Sequence, residues 1–198
     1  MSTHLWMDIM QEMPRITLKP TQSALIVIDV QPVLMPSIHQ GDVLTERIRF
    51  LARIARLLEV PVFATEQNPS RMGSTVDAIC ELVADPAPFS KMAFSGGGCA
   101  PFMDALKASG RGQVVLVGVE THICVSQTAQ GLLDAGYEVV VCPDGVSARS
   151  LERHKLGMER IRDAGVVPAH TEAVAYEWLG TAEHPRFREA LSIVKQHP

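Results

Sequence analysis

The chain has 198 residues, 46% hydrophobic and 20% charged, with a formal net charge of -4. That size and balance fit one domain, 1–198, with a sizeable core. The slightly acidic total excludes the basic footprint of a nucleic-acid-binding surface, and no apolar run is long enough to cross a membrane.

Met1 to Thr21 lacks the charged start and apolar block of a secretion signal. With Pro14 and Pro20 it reads as an extended arm. Ala24 to Val30 is a near-continuous apolar run, the mark of a strand buried on both faces in a parallel sheet. Asp42 is placed to cap a helix in which Leu44, Ile48, Leu51, Ala55 and Leu58 recur at helical spacing. Pro61 to Thr65 predicts a second strand, Thr75 to Ala84 a helix, and the proline-punctuated segment Asp85 to Lys91 a short strand. Ser95 to Gly98 reads as a flexible turn, and Pro101 to Ser109 as a helix with proline at its start. Gln113 to Gly118 is the next strand and Ile123 to Ala135 the next helix, ended by Gly136. The alternation continues: strand Glu138 to Cys142, helix Leu151 to Ala164, strand Val166 to Ala169, helix Glu172 to Leu179, and a last helix within Pro185 to Gln196. The fold class this predicts is α/β, doubly wound, with a mainly parallel sheet flanked by helices on both faces.

In such folds the working groups lie beyond the carboxyl ends of the strands. That rule gathers Asp29, Thr65, Glu66, Gln67, Lys91, Cys124 and Asp144 on one rim. Cys124 falls in the first turn of a helix, where unpaired N–H groups and the helix dipole favour a thiolate. Cys80, Cys99 and Cys142 read as core packing. The four cysteines form no CxxC pair and suit neither a zinc knuckle nor a disulfide scaffold, so reduced thiols in the cytoplasm are expected. Asp29, an acid at the tip of an apolar strand, needs a partner. It is either a cap or structural ion pair, or a general base for the Cys124 thiol. Lys91, between Phe89 and Phe94, is either exposed or a buried stem whose ammonium meets a negative charge. The N–H groups of the turn Gly118-Val119-Glu120-Thr121 and of the helix start could form an oxyanion hole. His122 is too close in sequence to Cys124 for their side chains to converge, and the other histidines show no metal-ligand spacing.

Asp29-Val30-Gln31, Lys91-Met92-Ala93-Phe94-Ser95 and Gly118-Val119-Glu120-Thr121-His122-Ile123-Cys124 resemble, in order and spacing, the three signatures of the isochorismatase-like cysteine hydrolases. The resemblance covers roughly Ser23 to Trp178. It implies a Rossmann-like three-layer domain and an Asp-Lys-Cys triad of Asp29, Lys91 and Cys124. It also implies a cis peptide between Val119 and Glu120, and an oxyanion hole from the N–H groups of Glu120 and Cys124. Members that cleave the vinyl ether of isochorismate lack the cysteine. Nicotinamidase-like members carry Asp-x-His after the second strand, where this chain has Thr65-Glu66-Gln67-Asn68-Pro69, so no metal or other cofactor is expected. The finer likeness is to isochorismatase domain-containing hydrolases of unassigned substrate. It makes Gln67, Phe94 and Thr121 candidate substrate contacts, with an ordinary polar loop residue the equal alternative for Gln67. The reading is a hydrolase acting on a C–N bond of a small amide-like substrate through a thioester. Its rivals are a non-catalytic interaction protein on the same scaffold and a thiol redox protein. The expected partners are a small molecule and further copies of the chain, with the apolar arm around Leu5, Trp6 and Met7 covering a neighbour or its own domain.

Overall fold

In a computed structural model that describes residues 16–83 and 87–197, six strands form one sheet. They are β1 (Ser23–Ile28), β2 (Val62–Gln67), β3 (Phe89–Lys91), β4 (Gln113–Val119), β5 (Glu138–Ser147) and β6 (Val167–Pro168). Every pairing is parallel and the order is β3-β2-β1-β4-β5-β6. The chain therefore winds outward from β1 in one direction, then returns to the other side of β1 at β4. The switch point lies between β1 and β4, where a crevice opens at the carboxyl edge of an α/β sheet.

Residues of β1 and β4 are all buried, so both strands carry apolar side chains on both faces. Leu25, Val27, Val115 and Val117 face one core layer with Leu44, Ile48 and Leu51 of α1 (Gly41–Leu57). Val174 and Trp178 of α7 (Thr171–Leu179) and Ala190 of α8 (Phe187–Val194) complete that layer. Ala24, Ile26, Ile28, Val114 and Leu116 face the other, with Phe102 and Leu106 of α4 (Ala100–Ala108). Ala129 and Leu132 of α5 (Ser126–Asp134) and Met158 and Ile161 of α6 (Leu151–Asp163) close it. Alternate residues of one strand thus serve opposite layers, and each fully buried Val, Leu or Ile contributes roughly 1.5–3 kcal/mol.

Several elements differ from the sequence expectations. α1 begins at Gly41 with Gln40 in the cap position and no side-chain cap, so Asp42 is a first-turn charge on the helix dipole rather than a cap. The helix expected over Thr75 to Ala84 shrinks to α3 (Asp77–Cys80), after the single turn α2 (Pro69–Met72). Ser95 to Gly98 is an anchored 3-10 turn: the Ser95 hydroxyl donates to Gln127 O at 3.1 Å and the Gly96 N–H to Thr128 Oγ1 at 2.8 Å. β5 runs on to Ser147 through an irregularity between Val141 and Val146. β6 is only two residues long and includes Pro168, which has no N–H to donate. Cys80 is exposed, not core. Leu18 is buried and its N–H donates to Glu177 Oε2 of α7 at 2.9 Å, so this stretch packs on its own chain. Leu5, Trp6 and Met7 lie outside the described residues. No helix among those described is long and apolar enough to cross a membrane.

Candidate active site

Four segments meet at the carboxyl edge. β1 ends at Ile28, and Asp29 takes a left-handed φ of 53° that turns its carboxylate into the crevice. Such a conformation costs a non-glycine residue energy and must be held by its surroundings. Both carboxylate oxygens are held: Thr65 Oγ1 donates to Oδ1 at 2.8 Å and Lys91 Nζ to Oδ2 at 2.7 Å. Asp29 is 0% exposed and Lys91 4%. The Lys91 ammonium also donates to Gln67 Oε1 at 2.9 Å, Phe94 O at 3.1 Å and Ala93 O at 3.3 Å. Of the alternatives for Lys91, the structure therefore has the buried stem and the negative partner.

β4 supplies the third wall. Gly118 has φ 118°, and a Cβ there would lie 2.1 Å from Ile28 O, so only glycine lets β4 pass β1 at this point. The Val119–Glu120 peptide that follows is cis. Thr121–Val125 is a π-helical turn, and regular helix starts only at Ser126. Gly157 of α6 packs so close to this turn that a Cβ would be 2.8 Å from His122 N. The turn is thus pinned between the sheet and α6, with Cys124 7% exposed.

The Cys124 thiol sits where it feels the Asp29 carboxylate both as a charge and as a hydrogen-bond partner, while the Glu120 N–H is directed at its sulfur. Burial, reinforced by Asp29, pushes the thiol up to about 12, against the opposing pull of Lys91 and the Glu120 N–H. This corrects the expectation of a resting thiolate: desolvation and a neighbouring anion outweigh the dipole of a turn. Burial also pushes the Asp29 carboxyl above its usual range, with Lys91 opposing. The acid and the thiol compete for one proton. Passing it from sulfur to carboxylate moves the negative charge without changing the net charge beside Lys91. The neutral thiol is therefore the resting form at pH 7. Iodoacetamide labelling of Cys124 should therefore accelerate about tenfold per pH unit between pH 7 and 10. Peptide mass spectrometry with exposed Cys80 as internal reference checks this, and a rate flat across that range would overturn the assignment.

The remaining expected site residues divide. Gln67 is committed to the lysine through Oε1, and its Nε2 donates to Met92 O at 3.0 Å. The Phe94 ring is 54% exposed beside the site. Thr121 is buried with its hydroxyl 3.0 Å from His154 Nδ1, so that oxygen is engaged on the α6 side. The Glu120 carboxylate accepts from Arg149 Nε at 3.0 Å and from the Arg149 N–H at 3.2 Å. Asp144 is drawn away by the irregularity in β5 and accepts from the Thr171 N–H at 2.9 Å. Glu66 accepts from the Thr75 N–H at 2.6 Å, a structural bond. His122 Nδ1 is buried without a hydrogen-bond partner among the described residues. No three His, Cys, Asp or Glu side chains among those residues converge to hold a metal.

Gln31 had no role assigned from sequence. It is fully buried, its Nε2 donates to Gln67 O at 3.1 Å and Gly73 O at 2.6 Å, and its Oε1 accepts from Gln67 N at 2.8 Å. It ties the ends of β1 and β2 together beneath Lys91. An amide at the end of an apolar strand was the available signal, since a buried amide must find partners.

The isochorismatase domain matches residues 23–173. The chain belongs to the isochorismatase family. Its isochorismatase relatives include domain-containing protein 1 of Danio rerio, 35% identical over 90% of this chain, which spans only 62% of that protein's length. Domain-containing protein 2A of Mus musculus is 34% identical over 89% of the chain and 84% of its own length. The solved MAR1 ribonuclease of Caenorhabditis elegans superposes with TM-score 0.86 at 34% identity, covering 91% of this chain and 93% of that one. The shared fold is the three-layer isochorismatase architecture.

Proposed function

We propose that this isochorismatase-family chain is a cysteine hydrolase that cleaves the C–N bond of a small amide-like substrate. The Asp29 carboxylate takes the thiol proton as the Cys124 sulfur attacks the carbonyl carbon. The N–H groups of Glu120 and Cys124 receive the oxyanion. Collapse breaks the C–N bond, Asp29 returns its proton to the departing amine, and a thioester remains. Water then attacks the thioester and gives a proton to Asp29. The acid leaves, and the sulfur recovers its proton. Lys91 holds Asp29 in place and balances whichever partner carries the negative charge. Gln67 and Gln31 position Lys91, and the Phe94 ring is the substrate contact of the original three that stays open to a ligand.

The observation that carries this reading is the Asp29 carboxylate, gripped at both oxygens by Thr65 and Lys91, at the end of β1 beside the strand that leads into the Cys124 turn. The named ribonuclease neighbour is a different reading, and a net charge of -4 does not favour a polyanionic substrate. The same proposal takes the chain as one domain that works as a homo-oligomer, with its free cysteines suiting the cytoplasm.

A small alkyl isocyanate, attacked at its carbonyl carbon to leave a stable thiocarbamate, supplies the test. Mass spectrometry should find one dominant adduct, on Cys124, that disappears in Cys124→Ala together with all amide turnover. Labelling spread evenly over the four cysteines, or turnover surviving in Cys124→Ala, would overturn the mechanism.

A further inference from the structure

A cavity of about 250 Å³ lies apart from the Asp29, Lys91 and Cys124 cluster, between the first turns of α1, the outer end of β5 and the first turn of α6. None of those three residues lines it. Its polar wall holds Arg47, His39 and His154, and its apolar wall holds Val43, Leu44 and Leu151. Arg47 makes no hydrogen bond or ion pair among the described residues, although arginines 49, 53 and 56 on the same helix are all engaged. His154 spends Nδ1 on the Thr121 hydroxyl, which leaves Nε2 for something else. The one carboxylate in the wall, Asp144, is occupied by the Thr171 N–H and hydroxyl and lies 3.3 Å from His170 Nε2. The first turns of α1 and α6 border the cavity, with Gln40 and Leu151 in its wall.

We infer that this cavity is a binding site for a small carboxylate with an apolar body. The guanidinium fork of Arg47 matches a carboxylate bidentately, and the imidazoles supply further donors. Cavity size sets the rest of the ligand. A space of ~150 Å³ accepts benzene, so this one takes a single ring or branched chain that bears the acid group. A phosphate or sulfate would meet the cations but leave Val43, Leu44 and Leu151 against water. The site stands independently of the hydrolase reading, because neither Asp29 nor Cys124 takes part.

Benzoate is the probe. Calorimetric titration of the full chain should give one saturable site. Arg47→Gln should raise Kd at least about tenfold, Arg47→Lys should fall between, and Cys124→Ala should bind as the parent does. In proton–carbon NMR spectra benzoate should move the ring signals of His39 and His154 and leave His122 in place. Four results would overturn the inference: no saturation in the millimolar range, an unchanged Kd in Arg47→Gln, a shift of His122 alone, or inorganic phosphate binding as tightly as benzoate.

Discussion

Asp29→Asn should lower kcat/KM by about 10²–10⁴-fold, the range a positioned general base supplies. The amide keeps the shape of the acid and can still accept from Thr65, so the loss reports the missing proton acceptor rather than a collapsed pocket. The substitution has a second effect that must be separated from the first. Lys91 is 4% exposed and loses the one carboxylate that pairs with it among the described residues. An uncompensated buried charge costs roughly 3–5 kcal/mol, so urea unfolding should show a clear drop in midpoint. Adding Lys91→Met removes the stranded cation and should recover part of the stability while restoring none of the turnover. Measuring both quantities on the single and double variants separates chemistry from folding. Activity in Asp29→Asn near the parent level would remove the acid from the mechanism altogether.

Gly118→Ala should be the most damaging change available outside the triad. The added Cβ would meet three backbone atoms of Ile28, at 2.1, 2.6 and 2.8 Å. Backbone cannot rotate aside as a side chain can, so β1 and β4 must part where they pair Ile28 with Gly118. A cost above about 4 kcal/mol is expected, at the extreme of what single substitutions do, and the variant should be recovered mostly insoluble. Gly136→Ala is the control. Its φ is 87° but nothing lies within 4 Å of the new Cβ, so it should cost only ~1–2 kcal/mol. Equal midpoints for the two variants would show that steric contact is not what Gly118 avoids.

The central strands were legible from sequence because both of their faces are buried: the run through Val30 and the run through Gly118 could be nothing else. Edge elements were not. β3 and β6 are short, and their pairing depends on neighbours distant in the chain. Strand ends place Asp29, Lys91 and Cys124 on one rim among seven residues, and the resemblance singles them out as a triad; strand ends fix only where a side chain starts. Where it finishes depends on partners that spacing does not show. The family likeness makes Thr121 and Gln67 candidate substrate contacts, and in the structure the first is engaged by His154 and the second by Lys91. The charge state of Cys124 was misjudged for the same reason. A helix start is visible in sequence, whereas the depth of burial and the side from which Asp29 approaches are not.

The crevice draws on segments around residues 29, 65, 91 and 120, brought together by the order β3-β2-β1-β4. Parallel neighbours cannot pair until the intervening helix has been made, so each junction closes a long loop. During synthesis the thiol emerges well after its acid and its lysine, and meets them only when β4 docks on β1. A half-made chain therefore holds the sulfur apart from its acid, and the two are joined by the same event that completes the middle of the sheet.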